Sequence, residues 1–208
     1  MSAEAALLFL GTVAFISLSG VLMPGPVFAV TIACGYKERM AGWKIAMGHA
    51  LVEIPVIVAI FFGLSTLLQD ERIFAAIGLI GGALLLYLGY DTVRTRKEIV
   101  TSCDLKYRSS FWAGVMTTIV NPSWWLWWAT IGAALTVSAV EFGWWMLPLF
   151  ILVHIVCDLL WEGFVAMTIF DTKGRWNERW HQYLIAGSGF IMIFFAIYFV
   201  LNALGDLL

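Results

Sequence analysis

The chain has 208 residues, of which 62% are hydrophobic and 12% charged, with a mean hydropathy of +0.90. A water-soluble domain carries about 45–50% apolar and about 25% charged residues, so too little polar material is present to coat a soluble globule, and the bilayer becomes the solvent. The net charge of −2, with basic residues flanking apolar runs and not gathered on one face, excludes a nucleic-acid-binding surface.

The chain opens Met-Ser-Ala-Glu with no Lys or Arg ahead of its first apolar run, which predicts a retained helix and no cleaved signal peptide. That run, about 5–36, exceeds the ~20 residues that cross ~30 Å of hydrocarbon. It contains Pro24-Gly25-Pro26. Proline deletes a helix hydrogen bond and glycine relaxes the backbone, so the pattern predicts a broken helix with Gly25 as cap and Pro26 opening a new segment. The second run, about 41–68, carries His49 and Glu53, four apart and so on one helix face. The third, about 73–93, holds Gly78-x-x-x-Gly82, a close-packing motif.

The longest loop, 94–109, divides the chain into halves of about 1–100 and 101–208. The fourth run, about 110–137, contains Asn121-Pro122-Ser123, where Asn is a favoured helix cap and Pro a favoured first residue. This predicts a second restart inside a span. Trp124, Trp125, Trp127 and Trp128 follow, and are expected to form an interfacial belt at the outer end of that helix. The fifth run, about 143–170, carries His154, Asp158 and Glu162 at steps of four, and the sixth spans about 183–204. Helices are required throughout, because hydrocarbon offers no partner for a free N–H or C=O.

Orientation follows from the basic residues. Lys37, Arg39, Lys44, Arg94, Arg96, Lys97, Lys106, Arg108, Lys173, Arg175 and Arg179 lie on one side, against Arg72 alone on the other. That bias predicts both termini outside and the loops after spans 1, 3 and 5 in the cytoplasm. Trp144 and Trp145 fall at the outer interface, and Trp176 and Trp180 at the inner one. The fold expected is an all-α membrane protein of six transmembrane helices. It forms one transporter domain, built as a 3+3 inverted repeat with helices 1 and 4 broken. Glycine-rich faces permit a homodimer without demanding one. Cys34, Cys103 and Cys157 are far apart with no C-x-x-C, which argues against a disulfide framework or zinc cluster. No cofactor is called for.

Interrupted helices at matched places in two halves point to a transporter binding site. Pro24, Gly25, Pro26, Asn121, Pro122 and Ser123 are therefore the candidate substrate-binding positions, where converging helix N-termini would receive a carboxylate. Titratable groups cost at least ~2.5–3.5 kcal/mol each in lipid, so His49, Glu53, His154, Asp158 and Glu162 must face the bundle interior or a water-filled cavity. An acid beside a histidine can pass a proton, meet a cationic group of the substrate, or ligate a divalent metal through His49, Glu53, His154 and Asp158. Packing contacts alone are the remaining alternative. No H-E-x-x-H, G-x-S-x-G or phosphate-cradling loop is present, so an intramembrane enzyme is not expected.

Three places resemble the lysine-exporter-like family, also called the homoserine/threonine resistance family. They are Met23-Pro24-Gly25-Pro26 with Gly35, Gly42 and Gly48 beyond; Gly82 through Tyr90 followed by Arg94; and Asn121-Pro122. The resemblance spans nearly the whole chain. It implies a secondary exporter of amino acids or related small metabolites in the cytoplasmic membrane, driven by proton exchange, with Pro24, Gly25, Pro26, Asn121 and Pro122 as motif residues. The tryptophan run after Pro122, the acidic fifth span and His49 depart from the family pattern. Related groups of the wider superfamily export divalent metal ions, which keeps metal export as the alternative.

Overall fold

The computed structural model describes residues 2–22, 25–64, 79–80, 82–83, 86–87, 89–97, 109–173 and 178–207. Met23, Pro24, Arg72, Gly78 and Cys103 lie outside the described residues, as do most of the long loop and much of the third predicted span.

Helix α1 (Ala3–Val21) starts where the Ser2 side chain accepts the Ala5 N–H at 3.2 Å, with Glu4 in its first turn against the positive helix end. It stops at Leu22, and α2 (Pro26–Gly35) begins with Gly25 extended at the cap and proline at its first position. The first helix is therefore broken, as its proline pattern predicts. Helix α3 (Ala41–Ala59) runs into a kink within Ile60–Leu64, where Gly63 leaves helical geometry with a φ of 116°. Helical residues recur between 79 and 97. Helix α4 (Ser110–Ile119) is capped by Ser109, and α5 (Pro122–Trp127) restarts after Asn121. Asn121 occupies the cap position without a capping side-chain bond; its Oδ1 accepts from Ser123 Oγ at 2.7 Å instead. A π turn, Trp128–Gly132, leads into α6 (Ala133–Val140). Two long helices follow, α7 (Met146–Thr172) and α8 (Glu178–Leu207).

The described residues are all helical or in turns, with no strand among them. Three of the helices are, by length and composition, long and apolar enough to cross a membrane: Ala3–Val21, Ala41–Gly63 and Met146–Thr172. Their outward faces are apolar. Leu7, Phe15, Phe62, Phe164 and Leu201 are all more than half exposed, which is tolerable in lipid and ruinous in water. Polar side chains are turned inward, including Ser17, Thr31, Thr118 and Thr136.

Helix α3 runs through the middle, packed on α4 and α7. The contacts are made backbone to backbone. At Gly48 a Cβ would collide with the Phe111 carbonyl, and at Gly114 with the Ile45 carbonyl, so α3 and α4 touch with no side chain between them. Gly42 faces the Glu162 carbonyl of α7 in the same way. Small residues at helix crossings give the close approach that membrane helices rely on for cohesion. At the α2–α3 connection, Arg39 Nε and Nη2 donate to the two carboxylate oxygens of Asp171 at 3.0 and 3.1 Å. Lys173 donates to the Tyr36 carbonyl at 2.9 Å, and Glu38 binds both Lys44 and Ser110.

Candidate functional site

Trp124 and Trp128, four residues apart along α5 and its continuation, share one helix face, and both indoles point toward α3. Trp124 Nε1 donates to Glu53 Oε1 at 2.8 Å and Trp128 Nε1 donates to the same oxygen at 2.9 Å. His49 Nε2, one helical turn away, reaches that oxygen at 3.1 Å. The other carboxylate oxygen, Oε2, has His154 Nε2 at 3.4 Å, too poorly aligned for a hydrogen bond. Glu53 is 1% exposed. A carboxylate so deeply buried persists only where donors and counter-charges replace water, and two indoles and two imidazoles do so here.

Hydrogen-bond counting assigns a proton within this group. Thr118 Oγ1 lies 2.7 Å from the Gly114 carbonyl, and two oxygens that close need the hydroxyl hydrogen between them. The same Oγ1 is 2.7 Å from His49 Nδ1 and has no further hydrogen to give, so Nδ1 carries the N–H. His49 Nε2 then faces Glu53 Oε1 across 3.1 Å, a contact that also requires a proton. The His49–Glu53 pair therefore holds one proton in addition to that on Nδ1. The second histidine is held from α1, with Ser17 Oγ 2.7 Å from His154 Nδ1. Rings of Trp127, Trp128 and Phe150 surround it, with centroids 5.4, 5.2 and 6.4 Å away.

These groups line a cavity of about 80 Å³. Its wall includes His49, Glu53, His154, Asp158 and Glu162, together with Gly25, Asn121 and Ser123 from the two helix breaks. A water's share of liquid volume is about 30 Å³, so the space takes roughly two or three waters or one small polar solute. The structure thus brings both His–acid pairs and both breaks to one place; of the other motif positions, Pro26 begins α2 beside the cavity, Pro122 begins α5, and Pro24 lies outside the described residues. Ligand atoms of His49, Glu53 and Asp158 lie within 4.8 Å of one another, a set able to hold a metal ion.

The belt expected of the tryptophan run is corrected. Trp124 and Trp128 are buried hydrogen-bond donors to Glu53, and Trp127 lines the cavity. Trp125 alone of the four is exposed, donating to the Ile119 carbonyl at 2.9 Å. An indole buried in a membrane bundle needs an acceptor, and the i,i+4 spacing of Trp124 and Trp128 was the available signal. Ser17 and Thr118 carried no signal beyond being polar in apolar runs.

Comparison with known proteins fits this architecture. The LysE type translocator family model matches residues 18–203. The "Putative amino acid efflux protein YcgF" of Bacillus subtilis (strain 168) is 25% identical over 190 residues, covering 88% of this chain and 91% of that protein. No solved structure matches the chain. The chain is a membrane transporter, not an enzyme, acting on small-molecule substrates in a lipid bilayer, and it belongs to the LysE-type translocator family.

Proposed function

We propose that the protein exports an amino acid or a closely related small metabolite across the cytoplasmic membrane in exchange for protons. In this reading it is one transporter domain of six spans, arranged as two inverted halves with both termini outside. The paired restarts at Pro26 and Pro122 support the inverted arrangement. The eleven-to-one bias of basic residues supports the orientation. The name of the Bacillus subtilis relative supports the substrate class.

The observation that carries the proposal is the buried carboxylate of Glu53, held between two histidines on the wall of a small polar cavity. The proton between His49 and Glu53 is the coupling proton. Solute entering the cavity meets free backbone N–H groups at the starts of α2 and α5, where a carboxylate is favoured. Release of the proton and release of solute alternate as the cavity opens to one side and then the other. Glu53→Gln is expected to lower amino-acid efflux driven by a pH gradient in proteoliposomes by about 100-fold or more. The melting temperature in detergent should stay near wild type. Unchanged gradient-driven flux would remove Glu53 from the coupling step.

A second reading, export of a divalent cation, is favoured by one observation. Thr118 fixes the hydrogen on His49 Nδ1, which turns Nε2 toward Glu53 and Asp158 as a ligand should be turned. Calorimetric titration with Zn²⁺ and Mn²⁺ separates the two. Saturable binding lost in His49→Ala supports metal cargo, and its absence leaves the amino-acid reading alone.

A further inference from the structure

Four buried oxygens in or beside the cavity have no hydrogen-bond partner among the described residues: Glu53 Oε2, which has His154 Nε2 at 3.4 Å, and Asp158 Oδ2, Glu162 Oε2 and Thr31 Oγ1. Asp158 and Glu162 are each 6% exposed and Thr31 is fully buried. Both acids line the cavity wall from successive turns of α7. Thr31, on α2, sits beside the Glu162 carboxyl without reaching hydrogen-bond geometry. Among the described residues no Lys or Arg lines the cavity, and His154 Nε2 stands 3.8 Å from Asp158 Oδ2, beyond hydrogen-bond length. Two acids with unpartnered oxygens thus face the cavity beside a hydroxyl, with no cationic side chain from the described residues among the lining, an expensive arrangement unless water or a guest supplies the donors.

Resting on the export reading above, we infer that Asp158, Glu162 and Thr31 form the site for the solute's primary ammonium group, separate from the proton site at Glu53. An ammonium carries three N–H donors and no acceptor, so it can serve both acids and the Thr31 oxygen beside them. The Cβ atoms of side chains four apart on a helix lie about 5–6 Å from each other, so the two acids share one face on which a single small cation can approach both. Glu53 is unsuited to the task. Its Oε1 already takes three nitrogens, and its Oε2 faces His154. Trp127 Nε1 is also buried without a partner and lines the same cavity, and it supplies a donor for the carboxylate end of a zwitterion. The solute is therefore held in one orientation, ammonium toward Glu162 and carboxylate toward Trp127.

The test uses purified full-length protein in detergent and calorimetric binding of three probes: L-alanine, ethylammonium, which lacks its carboxylate, and N-acetyl-L-alanine, which lacks its ammonium. Wild type is expected to bind L-alanine and, more weakly, ethylammonium, and not the acetylated probe. Glu162→Gln and Asp158→Asn should each weaken L-alanine binding by about tenfold or more, as loss of a charge-assisted hydrogen bond does. Thr31→Val should weaken binding several-fold and Thr31→Ser should restore it, which keeps the test available if an acid variant does not fold. The site is overturned if wild type binds neither L-alanine nor ethylammonium, or binds the acetylated probe as well as L-alanine. It is equally overturned if the acid variants and Thr31→Val bind as wild type does. Intact binding without any proton-driven flux overturns the export reading alone.

Discussion

Replacing Trp128 by Phe keeps an aromatic ring against His154 and removes one N–H from Glu53 Oε1. A hydrogen bond to a charged group is worth about 1.5–3 kcal/mol, so the variant should be destabilised by that amount and lose roughly tenfold or more in transport. Chemical denaturation and vesicle flux measure the two effects. Thr118→Val should act on transport through His49, because it deletes the acceptor that holds the hydrogen on Nδ1; Thr118→Ser should behave as wild type. At this scale the sequence was informative where chemistry and spacing coincide. His49 with Glu53 and His154 with Asp158 are four apart, and their cost in lipid turns them inward. It was silent where the partner is remote. Trp124 and Trp128 reach Glu53 across 71 and 75 residues, and a tryptophan cluster in a membrane helix has the composition of a belt until the bundle is assembled.

Among the elements, the α3–α4 contact is the tightest constraint. Gly114→Ala would drive a methyl into the Ile45 carbonyl, whereas Gly11 has nothing within 4 Å of its missing Cβ. Gly114→Ala is expected to cost about 1–3 kcal/mol or prevent insertion, and Gly11→Ala to be neutral or slightly stabilising. Melting of the two variants side by side checks this. The α2–α3 connection offers a different measurement. The Lys44 ammonium hydrogen-bonds Glu38 and lowers its carboxyl against the opposing effect of burial, with Ser110 adding to the lowering; the Asp171 carboxylate raises the Arg39 guanidinium further. A group with a lowered folded value contributes stability above its unfolded value and loses it as pH falls through the folded one. The difference in melting temperature between wild type and Glu38→Gln should be present near pH 7 and close as pH drops below the ordinary carboxylate range. The pair is largely exposed, so the difference should be small. Element boundaries were legible where proline and glycine mark them, as at Pro26 and Pro122. The π turn after α5 was not, because nothing local in Trp128–Gly132 distinguishes a π from an α hydrogen-bond register.

For the whole molecule, apolar runs and the placement of Lys and Arg predicted a membrane protein and one orientation. The family match agrees with the first, and thiol labelling can test the second. In a cysteine-free background, Ser2→Cys should react with an impermeant maleimide added to intact cells, and Lys37→Cys only after the membrane is opened. The opposite result would invert the proposed topology. What the sequence withheld at this scale is which helices touch. The run of glycines at Gly42, Gly48 and Gly114 shows that close crossings exist, but their partners, Glu162, Phe111 and Ile45, are fixed by three-dimensional assembly alone.

The two indoles on Glu53 also give the protein an internal optical reporter. Indole emission responds to the electric field of a neighbouring charge, and Trp124 and Trp128 both point their N–H groups at the same carboxylate oxygen. Gaining or losing a proton at that oxygen alters the field at both rings together. A pH-dependent change in intrinsic fluorescence that shrinks in Trp124→Phe and in Trp128→Phe would therefore follow the charge state of the buried acid with no label attached, against the background of the chain's other tryptophans.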